Sequence, residues 1–200
     1  MSLTRLTINE GTLWSSVKQG DRAAFEMLYK IFFKPLYNYG RKVCSNATLV
    51  EDSIHDLFLD LWRYRENLSA TSSIKFYLFR ALRRKIVKNG EKDEQASVFS
   101  FNQEDFFSKK TVSHEEDMIA LESQNDQVRT LKRHLNNLSP RQYESLILRF
   151  YDDFSYSEIG SILNVNEQSA RNLVQRGLEQ LRNLSKIVFS LLFFVILFFR

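Results

Sequence analysis

The 200-residue sequence predicts an all-α fold of two small helical domains joined by an acidic linker. Six glycines and two prolines are too few for the many tight turns of an all-β protein. Apolar residues recur every three or four positions in several stretches, which is the period of an amphipathic helix. Typical helix-capping residues precede several of those stretches. Long helices are therefore the predicted building blocks.

Composition divides the chain into four segments. Residues 13–90 and 118–186 carry the helical patterns and are predicted to be the two domains. Residues 91–117 hold eight acidic residues against three lysines, a net charge of −5. Their phenylalanines follow no period, which indicates a flexible linker. Residues 187–200 form an apolar C-terminal tail.

Charge and cysteine content limit the class of protein. The net charge of +4 and the isoelectric point of about 9.1 favour a polyanionic partner. The single cysteine, Cys44, cannot form an internal disulfide, which suits a reducing cytosol. Residues 1–14 lack the basic stretch and apolar run of a signal peptide. We therefore expect a cytoplasmic protein.

Two amphipathic helices are predicted at the start of the first domain. Asp21 should cap the first helix, and Pro35 should bend or end it. Its apolar stripe is Phe25, Leu28, Tyr29, Phe32 and Leu36. The second helix should end near Tyr64 and bury Val50, Ile54, Leu57, Phe58 and Leu61. Its opposite face carries Asp52, His55, Asp56, Leu59 and Arg63. The exposed leucine hints at a docking surface, although spacing alone favours a solvated acidic face.

A basic, aromatic helix is predicted next, over residues 73–89. Its buried side comprises Ile74, Leu78, Phe79, Leu82 and Ile86. The other side comprises Phe76, Tyr77, Arg80, Arg83, Arg84 and Lys88. Residues 71–90 contain six basic residues and no acid. Cations neutralise phosphates and aromatic rings stack on unpaired bases, so this face could grip opened DNA. An ordinary solvated helix with aromatics in the core is the alternative.

A helix-turn-helix is predicted near the C-terminus. Ser139 and Gln142 should form a capping box with Pro140 in the first turn, before a buried face of Tyr143, Leu146, Ile147 and Phe150. Ser155 and Glu158 should form a second box, and Gly160 should let another helix approach closely. The turn that follows should place Asn164 in the left-handed conformation, Val165 in the core and Asn166 as the next cap.

The last predicted helix separates two faces. Its inner face is Ala170, Leu173, Val174, Gly177, Leu178 and Leu181. Its outer face is Gln168, Arg171, Asn172, Gln175, Arg176 and Glu179. Arginine reads guanine edges, and asparagine or glutamine reads adenine edges, in the major groove. The segment therefore indicates a DNA-recognition helix, with a plain helical hairpin as the alternative.

Together these segments resemble the extracytoplasmic function (ECF, group 4) sigma factors of the sigma-70 family, over roughly residues 13–184. Residues 50–62, VEDSIHDLFLDLW, resemble the family's polymerase-docking helix, VEDxxQDxFxxLW, with His55 where glutamine is typical. Residues 25–29, FEMLY, resemble the opening of the first conserved domain, and residues 156–160, YSEIG, resemble the YxEIA-like helix. The resemblance favours the docking surface over the solvated acidic face.

The resemblance implies a sigma factor that brings RNA polymerase to a two-part promoter. Core polymerase, through β′ and β, would be bound by Asp52, His55, Asp56, Leu59 and Trp62. The −10 element would be bound by Phe76, Tyr77, Arg80, Arg83, Arg84 and Lys88. The −35 element would be read by Gln168, Arg171, Asn172, Gln175 and Arg176. Arg84 and Lys88 stand where the family commonly has asparagine and aspartate. Promoter DNA and an anti-sigma factor are the other implied partners.

Two other classes of protein can be compared with this expectation. A helix-turn-helix regulator that ignores polymerase would explain the C-terminal pattern but not the docking motif or the basic helix. An enzyme is disfavoured because the sequence has no HExxH motif, no phosphate-binding GxxxxGK[ST] loop and no cysteine pair. We expect no cofactor, no metal site and no covalent chemistry of the chain's own.

The apolar tail has three interpretations. As a helix, residues 187–199 would span about 20 Å at ~1.5 Å per residue. A bilayer core is about 30 Å thick, so the tail is short for a membrane span. It could lie in a membrane interface, cap another part of this protein, or bind a partner.

Overall fold

The computed structural model describes residues 9–91, 135 and 138–183. The chain divides into two compact units, Met1–Val98 and Phe99–Arg200. Within the described ranges the protein is all-α, with seven α-helices, one 3₁₀ turn, one π-helical turn and no β-strand. The predicted fold class is confirmed. None of the helices in those ranges is long and apolar enough to cross a membrane.

The first unit contains four helices, α1 (Glu10–Lys18), α2 (Arg22–Val43), α3 (Ala47–Arg63) and α4 (Ile74–Gly90). The 3₁₀ turn Arg65–Asn67 follows α3. Side chains just before the helices cap their free N–H groups, and Asp21 accepts hydrogen bonds from two amides at the start of α2, as predicted. The predicted stripes of α3 and α4 are buried, as are Leu28, Phe32 and Leu36 of α2.

Pro35 does not end helix α2, which was one of its two predicted effects. Helix α2 passes through Pro35 and ends only at Val43. A proline removes one backbone hydrogen bond, a cost that the surrounding tertiary packing can offset. Here the residues after it keep the helix in the core, because Leu36, Tyr39 and Val43 are all buried.

The second unit contains α5 (Pro140–Leu146), a π-helical turn (Ile147–Tyr151), α6 (Tyr156–Leu163) and α7 (Glu167–Asn183). Both predicted capping boxes are present. Asn164 is left-handed (φ 57°), and Asn166 Oδ1 accepts from Ser169 N at 2.7 Å. The helix-turn-helix is confirmed.

The surroundings of Gly160 and the burial of Val165 differ from those predicted. A Cβ at Gly160 would lie 2.8 Å from the carbonyl oxygen of Val165. The small residue therefore admits the backbone of the turn rather than another helix. Val165 itself is only half-buried.

Phe150 was predicted to be buried and is 43% exposed. The reason is the π-helical turn, in which each residue advances less around the axis than in an α-helix. Ile147, at the start of the turn, is still buried as predicted, whereas Phe150 at its far end no longer lies on the buried stripe. Tyr151, which follows, is also exposed.

Several predicted segments lie outside the described residues. They are most of the linker at residues 91–117, residues 118–134 of the second domain, and the apolar tail at residues 187–200.

Candidate protein- and DNA-binding surfaces

The outward face of α3 carries the predicted docking residues, here named the α3 surface: Asp52, His55, Asp56 and Leu59. All four side chains are exposed, and Leu59 is 61% exposed. An open cleft of about 490 Å³ lies beside the first three and is also bordered by Asn46 and Asn89. The surface thus combines two carboxylates, an imidazole and one apolar side chain.

Aromatic side chains of α2 support the α3 surface from behind. Tyr29 packs on Phe58 with ring centroids 4.8 Å apart, and Phe33 lies 6.5 Å from the ring of His55. The contact between α2 and His55 was not predicted, although the four-residue spacing of Phe25, Tyr29 and Phe33 could have indicated it.

Trp62, also predicted to bind polymerase, is only partly exposed. Its ring lies 4.9 Å from that of Phe25, and the Arg65 guanidinium lies 4.8 Å from its centroid. Trp62 therefore packs against neighbouring side chains at one end of the helix, whereas the other four predicted docking residues face solvent.

The outward side of α4, here named the α4 face, consists of Phe76, Tyr77, Arg80, Arg84 and Lys88. Arg84 and Lys88 are exposed, and the other three side chains are half-buried. Burial raises the pKa of the Tyr77 hydroxyl, with Arg84 lowering it and Asp60 raising it by smaller amounts. The phenol is therefore neutral near pH 7, which suits stacking on a base.

Arg83 was predicted to belong to this face and does not. Its side chain is only 9% exposed. Arg83 follows Phe79 by four residues and precedes Ile86 by three, so all three lie on one ridge of the helix. Since Phe79 and Ile86 are buried, the stem of Arg83 is drawn into the same side.

Two residues of α1 hold the start of α4, and neither was predicted. Glu10 Oε2 accepts a hydrogen bond from the amide of Ile74 at 2.8 Å. The Trp14 indole donates to the carbonyl of Ser69 at 3.0 Å and packs edge-on to Tyr77, with centroids 5.1 Å apart. The α4 face is therefore positioned by residues more than fifty positions away in the chain.

Contacts with α3 hold the rest of α4. Lys85 Nζ lies 2.6 Å from Asp60 Oδ2. Asn89 donates to the Ser53 hydroxyl at 3.1 Å. The charged outer side of α4 is thus fixed relative to the α3 surface within the same unit.

The outward side of α7, here named the α7 face, consists of the predicted readers Gln168, Arg171, Asn172, Gln175 and Arg176. All five are exposed. Three of them donate hydrogen bonds within the helix, Gln168 to Asn172 (3.1 Å), Arg171 to Glu167 (3.1 Å) and Gln175 to Glu179 (2.9 Å), so Asn172 takes part as an acceptor. On the inner side Ala170, Val174, Gly177 and Leu181 are buried, and Leu173 and Leu178 are half-buried.

Tyr156, the first residue of α6, also contacts the α7 face. The Arg171 guanidinium carbon lies 4.3 Å from the centre of its ring. Arg149 lies over the same ring at 5.1 Å. Neither Tyr156 nor Arg149 was predicted to take part, because the contact depends on how α6 and α7 cross.

The described residues contain no group of three or more histidine, cysteine, aspartate or glutamate side chains placed to hold a metal ion.

The chain is similar to several known proteins. Residues 129–181 match the family described as Sigma-70, region 4. The chain is 25% identical over 174 residues to the ECF RNA polymerase sigma factor SigK of Mycobacterium ulcerans (strain Agy99), covering 86% of this chain and 90% of SigK. It is 22% identical over 174 residues to the ECF RNA polymerase sigma factor SigW of Bacillus subtilis (strain 168), covering 83% and 91%.

Two solved structures share the fold. CnrH, solved in complex with the cytosolic domain of CnrY, matches with a TM-score of 0.58 at 16% identity, covering 86% of this chain and 94% of CnrH. The sigma factor RpoE, solved in complex with the anti-sigma factor NepR from Bartonella quintana, matches with a TM-score of 0.53 at 22% identity, covering 80% and 95%.

The match of residues 129–181 to Sigma-70, region 4, together with the aligned relatives, supports an ECF sigma factor of the sigma-70 family. The aligned relatives are themselves ECF sigma factors, and the matches together support the function of a sigma factor in the initiation of transcription by RNA polymerase. The family is not enzymatic.

Proposed function

We propose that three surfaces divide the work of promoter-directed initiation. The α3 surface binds core polymerase, the α4 face binds the opened −10 element, and the α7 face reads the −35 element. The domains would then be residues 13–90 and 118–186, with residues 91–117 as the linker. The observation that carries the proposal is the separation of charge in the first unit, where an acidic face and a basic face lie on adjacent helices.

Core binding through the α3 surface is supported by its exposure and composition. An exposed leucine flanked by Asp52 and Asp56 suits a partner helix that offers one apolar side chain among basic ones. Replacing Asp52 and Asp56 by lysine should weaken core binding by about tenfold or more, since like-charge juxtaposition costs several kcal/mol.

Fluorescence competition with purified core polymerase would measure this change. The matched control reverses two exposed acids elsewhere in the unit, Glu26→Lys with Glu66→Lys, and should keep its affinity. Equal affinity of the α3-surface variant and this control would refute the docking assignment.

Binding of the opened −10 strand by the α4 face is supported by two aromatic rings beside three cations. The rings of Phe76 and Tyr77 can stack on bases, and Arg80, Arg84 and Lys88 can neutralise phosphates. Arg83 is excluded from this set because it is buried.

Reading of the −35 element by the α7 face is supported by the confirmed helix-turn-helix and the exposure of all five predicted side chains. A regulator that ignores polymerase would need only this unit, whereas the sigma factors SigK and SigW align with more than four-fifths of the chain.

Run-off transcription with purified core polymerase on a promoter library separates the two functions. A sigma factor gives defined transcripts that disappear without the chain. A chain that binds DNA but never supports transcripts would be a regulator of the second kind.

We further propose that an anti-sigma factor holds this chain inactive, that the chain works in the cytoplasm, and that the polymerase alone supplies the chemistry. Support comes from RpoE, which is described in complex with the anti-sigma factor NepR. Copurification of the chain from cells, followed by identification of partners that block core binding, would test the inhibitor.

The apolar tail is proposed to be dispensable for promoter recognition, because it follows the last residue of the family-like domain. Residues 187–199 are apolar except for Ser190, and leaving all of them exposed to water would be unfavourable. We therefore expect them to contact a membrane surface, another part of this protein or a partner. Truncation after Lys186 should leave run-off activity equal or higher. Core binding without transcription by the truncated chain would show that the tail is needed.

A further inference from the structure

Tyr156 links the two helices of the helix-turn-helix through a charged contact. It is the first residue of α6, and the Arg171 guanidinium from α7 lies 4.3 Å from its ring centre. A guanidinium within about 6 Å of an aromatic face is attracted by the ring's quadrupole. The contact therefore ties a predicted base reader to the other helix.

The ring is itself held in place. The Arg149 guanidinium lies 5.1 Å from the ring centre and donates to the carbonyl of Phe154 at 2.9 Å. Phe154 is buried. Tyr156 is thus flanked by an arginine that the π-helical turn and the following loop anchor to the core.

The remaining contact of Arg171 is weaker. Its ion pair with Glu167 is 3.1 Å long, and the two side chains are 48% and 54% exposed. Exposed pairs of this kind contribute little to holding a side chain. We propose that Tyr156 is the positioning residue for Arg171 and holds its guanidinium ready to read the −35 element. This inference rests on the proposed function of the α7 face.

Arg176 provides the comparison within the same helix. No ring contact, hydrogen bond or ion pair is described for Arg176 among residues 9–91, 135 and 138–183. Arg171 has lost part of its rotamer freedom before it binds DNA, because Tyr156 and Glu167 both contact its guanidinium. The loss of Tyr156 should affect the base pair read by Arg171 and spare the one read by Arg176.

The test compares Tyr156→Leu, which removes the ring, with Tyr156→Phe, which keeps it, in the full-length chain bound to core polymerase. In a binding selection, Tyr156→Leu should lose about twofold to fivefold in preference at the Arg171 base pair, the weight of one exposed cation–π contact. Tyr156→Phe should match the wild type. In double variants, Tyr156→Leu should cause no further loss of base preference beyond that of Arg171→Ala. Its loss and that of Arg176→Ala should instead be additive.

Two results would overturn the inference. Equal loss in Tyr156→Phe would mean that the hydroxyl acts directly on DNA. A uniform loss for all sequences in Tyr156→Leu would mean a structural role only.

A second measurement on the full-length chain without DNA separates this inference from the proposed function. Nuclear magnetic resonance of the Arg171 Nε–H group should show restricted motion in the wild type and in Tyr156→Phe, and free motion in Tyr156→Leu. If Arg171→Ala leaves base preference unchanged, the reading role of Arg171 fails while this ordering still supports the contact. Equal motion in all three proteins would refute the positioning.

Discussion

The two faces proposed to bind DNA differ in the polar and aromatic contacts that orient their side chains. Helix α4 is fixed by residues from other helices, with Glu10 and Trp14 of α1 at its start and Asp60 and Ser53 of α3 along its length. On α7, three of the predicted readers donate hydrogen bonds to residues four positions away on the same helix. Only Arg171 is described in contact with a side chain from another helix, Tyr156.

This difference predicts which mutations matter in each unit. A face that depends on tertiary contacts can be damaged from a distance, because its position is set by the packing of α1 and α3. A face whose side chains bond locally should respond mainly to changes in its own residues. Strand opening should therefore be sensitive to the whole first unit, and −35 reading mainly to the α7 face and to its contact with Tyr156.

The largest effect is expected from removing both rings of the α4 face. Phe76→Ala with Tyr77→Ala should spare closed-complex binding and reduce open-complex formation by about tenfold or more, since stacking contributes about 1–3 kcal/mol per base. Permanganate reactivity of thymines in the −10 element would measure the opening. Normal reactivity in this variant would contradict the assignment.

The next effect concerns the α7 face. Alanine at a base-reading position among Arg171, Asn172, Gln175 and Arg176 should cost about 1–3 kcal/mol and relax preference at one base pair. A phosphate contact would instead weaken all sequences alike and reduce the salt dependence. A binding selection on all four variants distinguishes the two. Wild-type preference in every variant would mean that α7 is not the recognition helix.

Local interactions explain what the sequence could predict. The caps at Asp21, Ser139, Ser155 and Asn166 act on amides within three residues, so a short motif is enough to identify them. The buried stripe of α4 follows directly from the helical period. The outward faces of α3 and α7 lie opposite the buried stripes of those two helices, which is why the sequence predicted correctly that most of the candidate residues on them are exposed.

The features that the sequence did not predict are those that no short motif or regular period encodes. Glu10 bonds to an amide 64 positions away, and no motif joins the two. The placement of Phe150 failed because a π-helical turn changes the period within one segment. Arg83 failed because hydrophobicity alone assigns every arginine to solvent, whereas its long apolar stem allows burial.

A smaller effect should distinguish remote from local support of α4. Glu10→Ala removes the remote acceptor at Ile74 N, and Ser73→Ala removes the local cap at Phe76 N. Each should destabilise the start of α4 by about 0.5–2 kcal/mol. Hydrogen exchange of the amides at the start of α4 measures this loss, with Glu66→Ala as the exposed control.

The two variants should differ in which helices show increased hydrogen exchange. Glu10→Ala should also increase exchange in α1, because the carboxylate joins the two helices, whereas Ser73→Ala should leave α1 unchanged. Identical exchange patterns in the two variants would show that α1 does not support α4.

The smallest effects are expected from the ion pairs, which repeat the comparison between tertiary and local support. Lys85 and Asp60 join α4 to α3, and their side chains are 23% and 46% exposed. Arg171 and Glu167 lie on one helix and are 48% and 54% exposed. Double-mutant cycles on unfolding should give up to about 1 kcal/mol for the first pair and about 0.3–0.5 kcal/mol for the second. Because exposed charges are screened by salt, the coupling of the second pair should vanish at high ionic strength while part of the first remains. A larger coupling free energy for the pair within α7 than for the pair between α3 and α4 would contradict this expectation. It would show that a local ion pair stabilises α7 more than the tertiary ion pair stabilises α4.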